Sequence, residues 1–221
     1  MKEIRKRKEL PAEKNTMKKN SKGISLNYLS HHYDTITLGE KSTFRQKQIS
    51  LIRLQEGERV LDVGCGTGAL SILAKLAVGE TGIVEGMDIA PKMVRKAHEK
   101  ARKVNLKIGF KAASIDEMPY PDEYFDVVIS SMMFHHLPVE IKQKGLKEIY
   151  RVLKKEGRFF LSDFCSSNYL ALPLMYMMFI WISSTRYQLF GKLPGLIKES
   201  GFTVVEMVKK GFFLENYLIE K

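Results

Sequence analysis

A short apolar strand that runs directly into a glycine-rich turn is the feature of this sequence that most constrains its fold. Residues 60–63 read Val-Leu-Asp-Val, and residues 64–68 read Gly-Cys-Gly-Thr-Gly. Glycine permits backbone dihedrals, and a close approach of a ligand, that a side chain would block. A helical pattern over residues 69–77 follows at once. This order of elements predicts a cofactor crevice at the carboxyl ends of parallel strands.

The rest of the chain alternates between strand and helix patterns. Further strands are predicted at residues 83–88, 107–112, 125–130 and 158–164, and helices at residues 25–54, 91–104, 140–153 and 194–200. Such alternation implies a parallel sheet with helices on both faces. The last segments, 203–209 and 212–219, flank Lys210-Gly211 and predict an antiparallel hairpin. We therefore predict an α/β fold with a doubly wound, mostly parallel seven-stranded sheet that ends in this hairpin.

Positive charge is concentrated at the start of the chain. The 221 residues carry a formal net charge of +11, and residues 1–22 hold nine Lys or Arg against three Glu. A segment this polar cannot bury enough apolar surface to fold alone. We predict a disordered basic tail at residues 1–22 and a single domain at residues 23–221. The tail is either a solvated extension or a polybasic arm for anionic lipid or nucleic acid.

The two cysteines, Cys65 and Cys165, are too few for a disulfide framework or a metal-ligand cluster. No metal site is therefore predicted, and this cysteine usage fits a reducing, intracellular compartment. No apolar stretch follows the basic start, which argues against a secretory signal. We expect a cytoplasmic protein, either free or in peripheral contact with a membrane.

Two carboxylates restrict the choice of cofactor. Asp88 closes the second strand, twenty residues after Gly68, where an acid can accept both ribose hydroxyls of a nucleotide. This position fits NAD and S-adenosylmethionine (SAM) equally. Asp62 lies inside the first strand, two residues before Gly64, where a pyrophosphate has little use for a carboxylate. A carboxylate can complement the positively charged sulfonium and ammonium groups of SAM. Asp62 and the complete motif therefore favour SAM over NAD as the cofactor.

Residues 60–68 resemble motif I of the class I SAM-dependent methyltransferases, and Asp88 resembles the ribose-binding acid of that family. Residues 118–129 resemble the segment that leads into the family's fourth strand, and residues 151–157 resemble the turn before its fifth strand. Within the class, His32-Tyr33-Asp34 and the residues after it are most similar to the ubiquinone/menaquinone-biosynthesis type. The resemblance implies SAM as cofactor and S-adenosylhomocysteine (SAH) as product.

The resemblance also implies a set of cofactor-binding residues. By analogy, Tyr33 packs over the methionine moiety and Arg45 reaches its carboxylate, although Tyr33 could instead pack only against the N-terminal helix. Many relatives carry an acid that meets the adenine amine. Here Ser114 stands in its place, Ile115 supplies an apolar wall, and Asp116 is expected to point outward as a helix cap. The full set is Tyr33, Arg45, Asp62, Gly64, Cys65, Gly66, Gly68, Asp88, Ile89, Ser114, Ile115 and Ser130.

Two histidines follow the fourth predicted strand, at the sheet edge where an acceptor should lie. Methyl transfer from a sulfonium is an in-line displacement in which alignment supplies much of the rate. A base is needed only if the acceptor must lose a proton. His135 and His136 are the candidate catalytic residues, with His135 as the base. The alternative is that one of them packs beneath the cofactor or caps the next helix.

The acceptor is expected to meet an apolar, Met-rich segment. Residues 170–182 are interrupted by Pro173 and are shorter than the roughly 20 residues that span a bilayer. We interpret residues 168–200 as a cap over a small or lipid-like hydrophobic acceptor, and residues 24–54 as lid helices. The same segment also fits ordinary core or the face of a homodimer.

Nucleic acid is disfavoured as the acceptor, because residues 130–133 read Ser-Ser-Met-Met. Exocyclic-amine methylation of bases usually shows a Pro-Pro-aromatic motif at this place. Two alternative functions stay open. One is a SAM-binding regulatory module without turnover, and the other is an RNA methyltransferase that uses the basic tail.

Overall fold

The computed structural model describes residues 43–164, 192–210 and 214–221. Its helices are α1 (Thr43–Ile52), α2 (Ala69–Val78), α3 (Pro91–Lys103), α4 (Val139–Val152) and α5 (Leu193–Glu199), with a 3₁₀ turn at Phe134–His136. Its strands are β1 (Arg59–Val63), β2 (Ile83–Asp88), β3 (Gly109–Ala112), β4 (Phe125–Ser131), β5 (Leu153–Phe164), β6 (Val204–Lys210) and β7 (Leu214–Glu220).

The seven strands form one sheet in the order β3-β2-β1-β4-β5-β7-β6. β1 pairs in parallel with β2 and β4, and β4 pairs in parallel with β5. β7 lies antiparallel between β5 and β6. This confirms the predicted fold. The strand order reverses between β1 and β4, and a doubly wound sheet opens its ligand crevice at the carboxyl ends of the strands at such a point.

Apolar layers cover both faces of the sheet. The layer under α1 and α2 includes Ile52, Leu70, Val78, Val127 and Ile129. The layer under α4 and α5 includes Leu61, Val128, Leu146, Ile149 and Leu196. Successive residues of β4 thus alternate between two buried layers, which explains why this strand is a continuous apolar run.

The starts of β3 and β5 differ from the prediction by two and five residues. β3 starts at Gly109 instead of residue 107, and β5 starts at Leu153 instead of residue 158. Most of residues 151–157, expected as a turn, is therefore strand. The reason is that Leu153 is fully buried and pairs with Phe125, and a register shift after Phe125 accommodates the additional strand residues.

Several predictions fall outside the described residues. These are the basic tail, the lid before residue 43 with Tyr33, the cap between residues 168 and 191, Cys165 and the hairpin turn at Gly211. Within the described ranges, no helix is both long and apolar enough to cross a bilayer. The same ranges contain no group of His, Cys, Asp and Glu arranged to hold a metal ion.

Candidate active site

The glycine turn wraps over the end of β2. The backbone N–H groups of Gly64 and Cys65 both donate to the Met87 carbonyl oxygen, at 2.8 and 3.0 Å. Gly64 has φ +74°, and a Cβ at this position would lie 2.4 Å from Met133 Cγ. Gly68 has φ +79°, and a Cβ there would lie 2.9 Å from Ala97 Cβ. Neither position therefore accommodates a larger residue without rearrangement.

Asp88 is joined to this turn by hydrogen bonds. Its Oδ2 accepts the N–H of Gly66 at 3.0 Å, and its Oδ1 accepts the N–H of Ala90 at 2.8 Å. A carboxylate offers about four lone-pair positions, so two remain for hydroxyl donors. Burial raises the pKa of Asp88, and the two backbone N–H groups oppose this rise. Asp88 and the glycine turn thus form one anchored unit, and Ile89 directly follows Asp88.

Asp62 is buried between β1 and α2. It is 2% exposed, and the hydroxyl of Ser71 donates to its Oδ2 at 2.5 Å. Burial raises the pKa of Asp62 to about 7, the Ser71 hydrogen bond lowers it, and the charge of Asp88 raises it further. The positive charge of Arg45 lowers it. The structure thus brings Arg45, Asp62 and Asp88 into one electrostatic neighbourhood, in which a bound ammonium group would favour the ionised form of Asp62.

Helix α1 is fixed to the end of β4 by Gln48, which the sequence analysis did not single out. Gln48 is 1% exposed, and its Nε2 donates to Ser131 Oγ at 2.8 Å. The buried Gln48 Oε1 and Ser130 Oγ have no hydrogen-bond partner within the described part of the chain. A buried polar atom without a partner costs about 1–3 kcal/mol. Both atoms therefore have unused hydrogen-bonding capacity within the described part of the chain.

Ser114 and Asp116 form a pair in the loop after β3. Ser114 Oγ donates to Asp116 Oδ1, and the Glu117 N–H donates to the Ser114 carbonyl oxygen at 3.3 Å. This loop is a turn, so the interpretation of Asp116 as a helix cap is wrong. The reason is that the short Ser114 side chain folds the carboxylate back. Ile115 is buried against Gly145 of α4, so it forms part of the core wall.

Cys65 lies inside the apolar cluster beneath α3. Its side chain is buried beside Phe110, and burial raises the pKa of the thiol well above its usual value. Its sulfur lies 3.1 Å from the position that a Cβ on Gly86 would take. Cys65 is therefore a packing residue of the turn, which contributes its backbone to the crevice.

The two candidate catalytic histidines differ in their surroundings. His135 is 4% exposed, and its Nδ1 lies 2.7 Å from Asp163 Oδ1. His136 is half-buried, with its ring centroid 3.8 Å from that of His135. Burial lowers the pKa of His136 to about 4, and the charges of His135 and Lys142 lower it as well. His136 is therefore neutral at physiological pH and a weak base, so the surroundings favour His135 for proton transfer.

Lys142 and Asp163 are two members of this region that the sequence analysis missed. Lys142 is fully buried on α4, and its position four residues before Leu146 places it on the apolar face of the helix. Burial lowers the pKa of Lys142 to about 8, and the negative charge of Asp163 opposes this shift. In the sequence, both residues could have been recognised as charged residues at positions that face the core.

Comparison with solved structures identifies the fold. A SAM-dependent methyltransferase from Aquifex aeolicus superposes with a TM-score of 0.71, covering 87% of this chain and 97% of its own, at 24% identity. The fold is therefore that of the class I SAM-dependent methyltransferases, as predicted. The chain belongs to the methyltransferase domain family, whose model matches residues 54–210. The same family match confirms SAM as the predicted cofactor.

Curated relatives agree with this family. The chain is 37% identical over 133 residues to a demethylmenaquinone methyltransferase of Lactobacillus johnsonii, covering 58% of this chain and 54% of the relative. It is 30% identical over 145 residues to a ubiquinone/menaquinone biosynthesis C-methyltransferase of Psychromonas ingrahamii, covering 65% and 57%. The predicted resemblance to the quinone-biosynthesis type is confirmed. The chain spans about half the length of these relatives.

Proposed function

We propose that this protein transfers a methyl group from SAM to a small or lipid-like hydrophobic acceptor that carries an ionisable hydroxyl group. The observation that carries the proposal is the Gly66–Asp88 hydrogen bond, which joins the acid at the end of β2 to a turn whose Gly64 and Gly68 leave no room for a side chain. The relatives named for methylating quinone precursors support a hydrophobic acceptor.

The crevice residues fit SAM by their chemistry. Asp88 offers lone pairs to the ribose hydroxyls, and the Ser114–Asp116 pair offers oxygens to the adenine amine. The buried Asp62 and the unpartnered Gln48 Oε1 are acceptors suited to an ammonium group. Arg45 lies close enough to Asp62 to affect its ionisation, and is suited to a carboxylate. When bound, SAM supplies an activated methyl group and leaves as SAH.

His135 acts on the acceptor in this proposal. It takes the proton of the acceptor hydroxyl, which raises the electron density on the oxygen and on conjugated carbons. One of these atoms forms a bond to the methyl carbon while the bond from this carbon to sulfur breaks and leaves its electron pair on sulfur. A carbon acceptor then loses its ring proton, and its oxygen takes a proton back from His135. Transfer to either atom therefore adds one methyl group and releases one proton overall.

Calorimetry tests the cofactor site. Asp88→Ala should weaken the binding of SAM and SAH by about 10–100-fold, because hydrogen bonds to a charged group contribute about 1.5–3 kcal/mol. Asp88→Asn keeps the shape of the side chain and should also weaken both. Glu99→Ala, which removes an exposed acid from α3, is the matched control. Equal affinities for all four proteins would refute the site assignment.

Turnover tests the acceptor class. The probe is a reduced naphthoquinone with a short prenyl chain, and catechol is the polar comparison. Methylation of the naphthoquinol in preference to catechol supports the proposal. Methylation of catechol alone would contradict it. The regulatory-module alternative predicts SAM binding without SAH release in either case.

One observation weakens that alternative. Ser114 in place of an acid slightly favours the regulatory module, but the Ser114–Asp116 hydrogen bond brings a carboxylate to the same loop. The RNA alternative depends on residues 1–22, which lie outside the described part of the chain.

We also propose peripheral contact with anionic membranes, since a lipid-like acceptor is dissolved in lipid and residues 1–22 carry excess positive charge. Phosphatidylglycerol vesicles should retain the protein at low salt and release it at high salt. Equal retention by neutral phosphatidylcholine vesicles would count against this contact.

A further inference from the structure

Asp163, near the end of β5, has a buried carboxylate that makes two hydrogen bonds to His135. The backbone N–H of His135 donates to Asp163 Oδ2 at 3.2 Å, and the His135 ring nitrogen Nδ1 lies 2.7 Å from Asp163 Oδ1. Both residues are almost fully buried, at 4% and 2% exposure. The two contacts join the 3₁₀ turn after β4 to the neighbouring strand β5.

Asp163 is held in its ionised form. Burial alone would raise its pKa, but the charge and hydrogen bonds of His135 and the backbone N–H of Phe164 lower the pKa below its usual value. The Phe164 N–H donates to Oδ1 at 2.7 Å. An ionised carboxylate can only accept, so the proton in the short contact belongs to Nδ1 of His135. In a neutral imidazole, Nε2 is then the nitrogen that can accept a proton.

The surroundings of the His135 ring fix its orientation. The ring of Phe164 meets it edge-on, with centroids 4.6 Å apart, and the half-buried His136 lies on another side. Among the described residues, the titratable groups whose charges interact with this pair are His136 from the same turn and Lys142 from α4. The positive charge of Lys142 compensates the negative charge of Asp163, so a buried carboxylate is tolerated here.

We propose that Asp163 is a positioning residue, which holds His135 in the Nδ1-protonated tautomer and thereby makes Nε2 the atom that takes the acceptor proton. The tautomer follows from the contacts and the ionised state of Asp163, and it does not depend on the acceptor. Only the identity of the proton donor rests on the proposed function.

Nuclear magnetic resonance of the ¹⁵N-labelled full chain tests the tautomer without any acceptor. The wild type should show His135 protonated at Nδ1. In Asp163→Asn, the amide can donate to Nδ1 instead, so His135 should shift towards the Nε2-protonated form. His98 is an internal control, because its Nε2 lies 3.2 Å from the Phe110 carbonyl oxygen and must donate there. An Nε2-protonated His135 in the wild type would overturn the proposal.

Kinetics with the naphthoquinol probe separates positioning from folding. Asp163→Asn should lower kcat by about 10²–10⁴-fold, as loss of the correct tautomer does elsewhere, with little change in KM. Asp163→Glu keeps an accepting carboxylate and should restore the tautomer and part of kcat. Ser162→Ala, a neighbouring buried substitution, is the matched control for stability.

The proposed function and the role of Asp163 can be refuted separately. A wild-type tautomer as predicted, with no methylation of the probe, refutes the proposed function and leaves the assignment of Asp163 supported. Methylation with an unchanged kcat in Asp163→Asn refutes the assignment of Asp163 alone. If Asp163→Asn does not fold, Asp163→Glu decides, and a kcat as low as that of His135→Ala would count against positioning.

Discussion

The hydroxyl of Ser71 in α2 donates a 2.5 Å hydrogen bond to the Asp62 carboxylate inside β1. The acid that favours SAM over NAD in the sequence is therefore anchored by the protein itself. Since Asp62 is also fully buried, its charge has an energetic cost that a cationic ligand would offset.

The buried Asp62 should make stability depend on pH. Its pKa is raised from 3.8 to about 7 in the folded chain. Between these values the folded state binds a proton that the unfolded state does not, so the free energy of unfolding should fall as pH rises from about 4 to 7. The contribution is at most about 4 kcal/mol. Urea unfolding of wild type and Asp62→Asn at pH 5 and pH 8 measures it, and equal pH dependence of the two proteins would contradict it.

At alkaline pH, Lys142 should change the free energy of unfolding in the opposite direction. Its pKa is lowered from 10.5 to about 8 in the folded chain. Between these values the unfolded state binds the additional proton, so the free energy of unfolding should increase with pH by up to about 3 kcal/mol. Lys142→Met preserves the apolar stem and removes the titration. The difference between the urea unfolding curves of the two proteins at pH 7.5 and 10 tests this, and a difference independent of pH would exclude it.

Gly64→Ala should both destabilise the fold and abolish SAM binding. The new Cβ would lie 2.4 Å from Met133 Cγ at a backbone φ of +74°, and the strain and overpacking together cost about 1–3 kcal/mol. Gly195→Ala is the control, because no atom lies within 4 Å of its added Cβ and the position is inside α5. It should be neutral or stabilising by up to about 1 kcal/mol. Thermal unfolding and calorimetry compare the two, and equal behaviour would contradict the role of the turn.

Gln48 and Ser131 should be energetically coupled. Their buried hydrogen bond is the link between α1 and the end of β4. A double-mutant cycle of Gln48→Ala and Ser131→Ala should give a coupling free energy of about 1 kcal/mol. Hydrogen exchange of α1 should accelerate in Gln48→Ala. Additive effects of the two substitutions would show that this bond does not hold α1.

The fold and one half of the site could be predicted from the sequence because they are local. The strand, the glycine turn and Asp88 lie within 29 residues, and their spacing reflects the way in which one βαβ unit surrounds a nucleotide. The alternation of apolar residues is similarly local, and it gave the order of strands and helices correctly.

The other half of the site depends on contacts between distant parts of the chain. Gln48 and Ser131 are 83 residues apart, and His135 and Asp163 are 28 apart. Hydrophobic periodicity carries no information on such pairs. Asp116 was misinterpreted for a related reason, since a helix was assumed where the Ser114 side chain stabilises a turn.

The most direct test of the central claim uses SAM with a deuterated methyl group. The full chain is incubated with this SAM and the naphthoquinol probe, and the products are analysed by mass spectrometry. The wild type should give equal amounts of SAH and of a naphthoquinol that carries three deuterium atoms, and Asp88→Ala should give neither. SAM that remains intact with the wild type, under conditions in which calorimetry shows it bound, would contradict the claim that this protein is a methyltransferase for such acceptors.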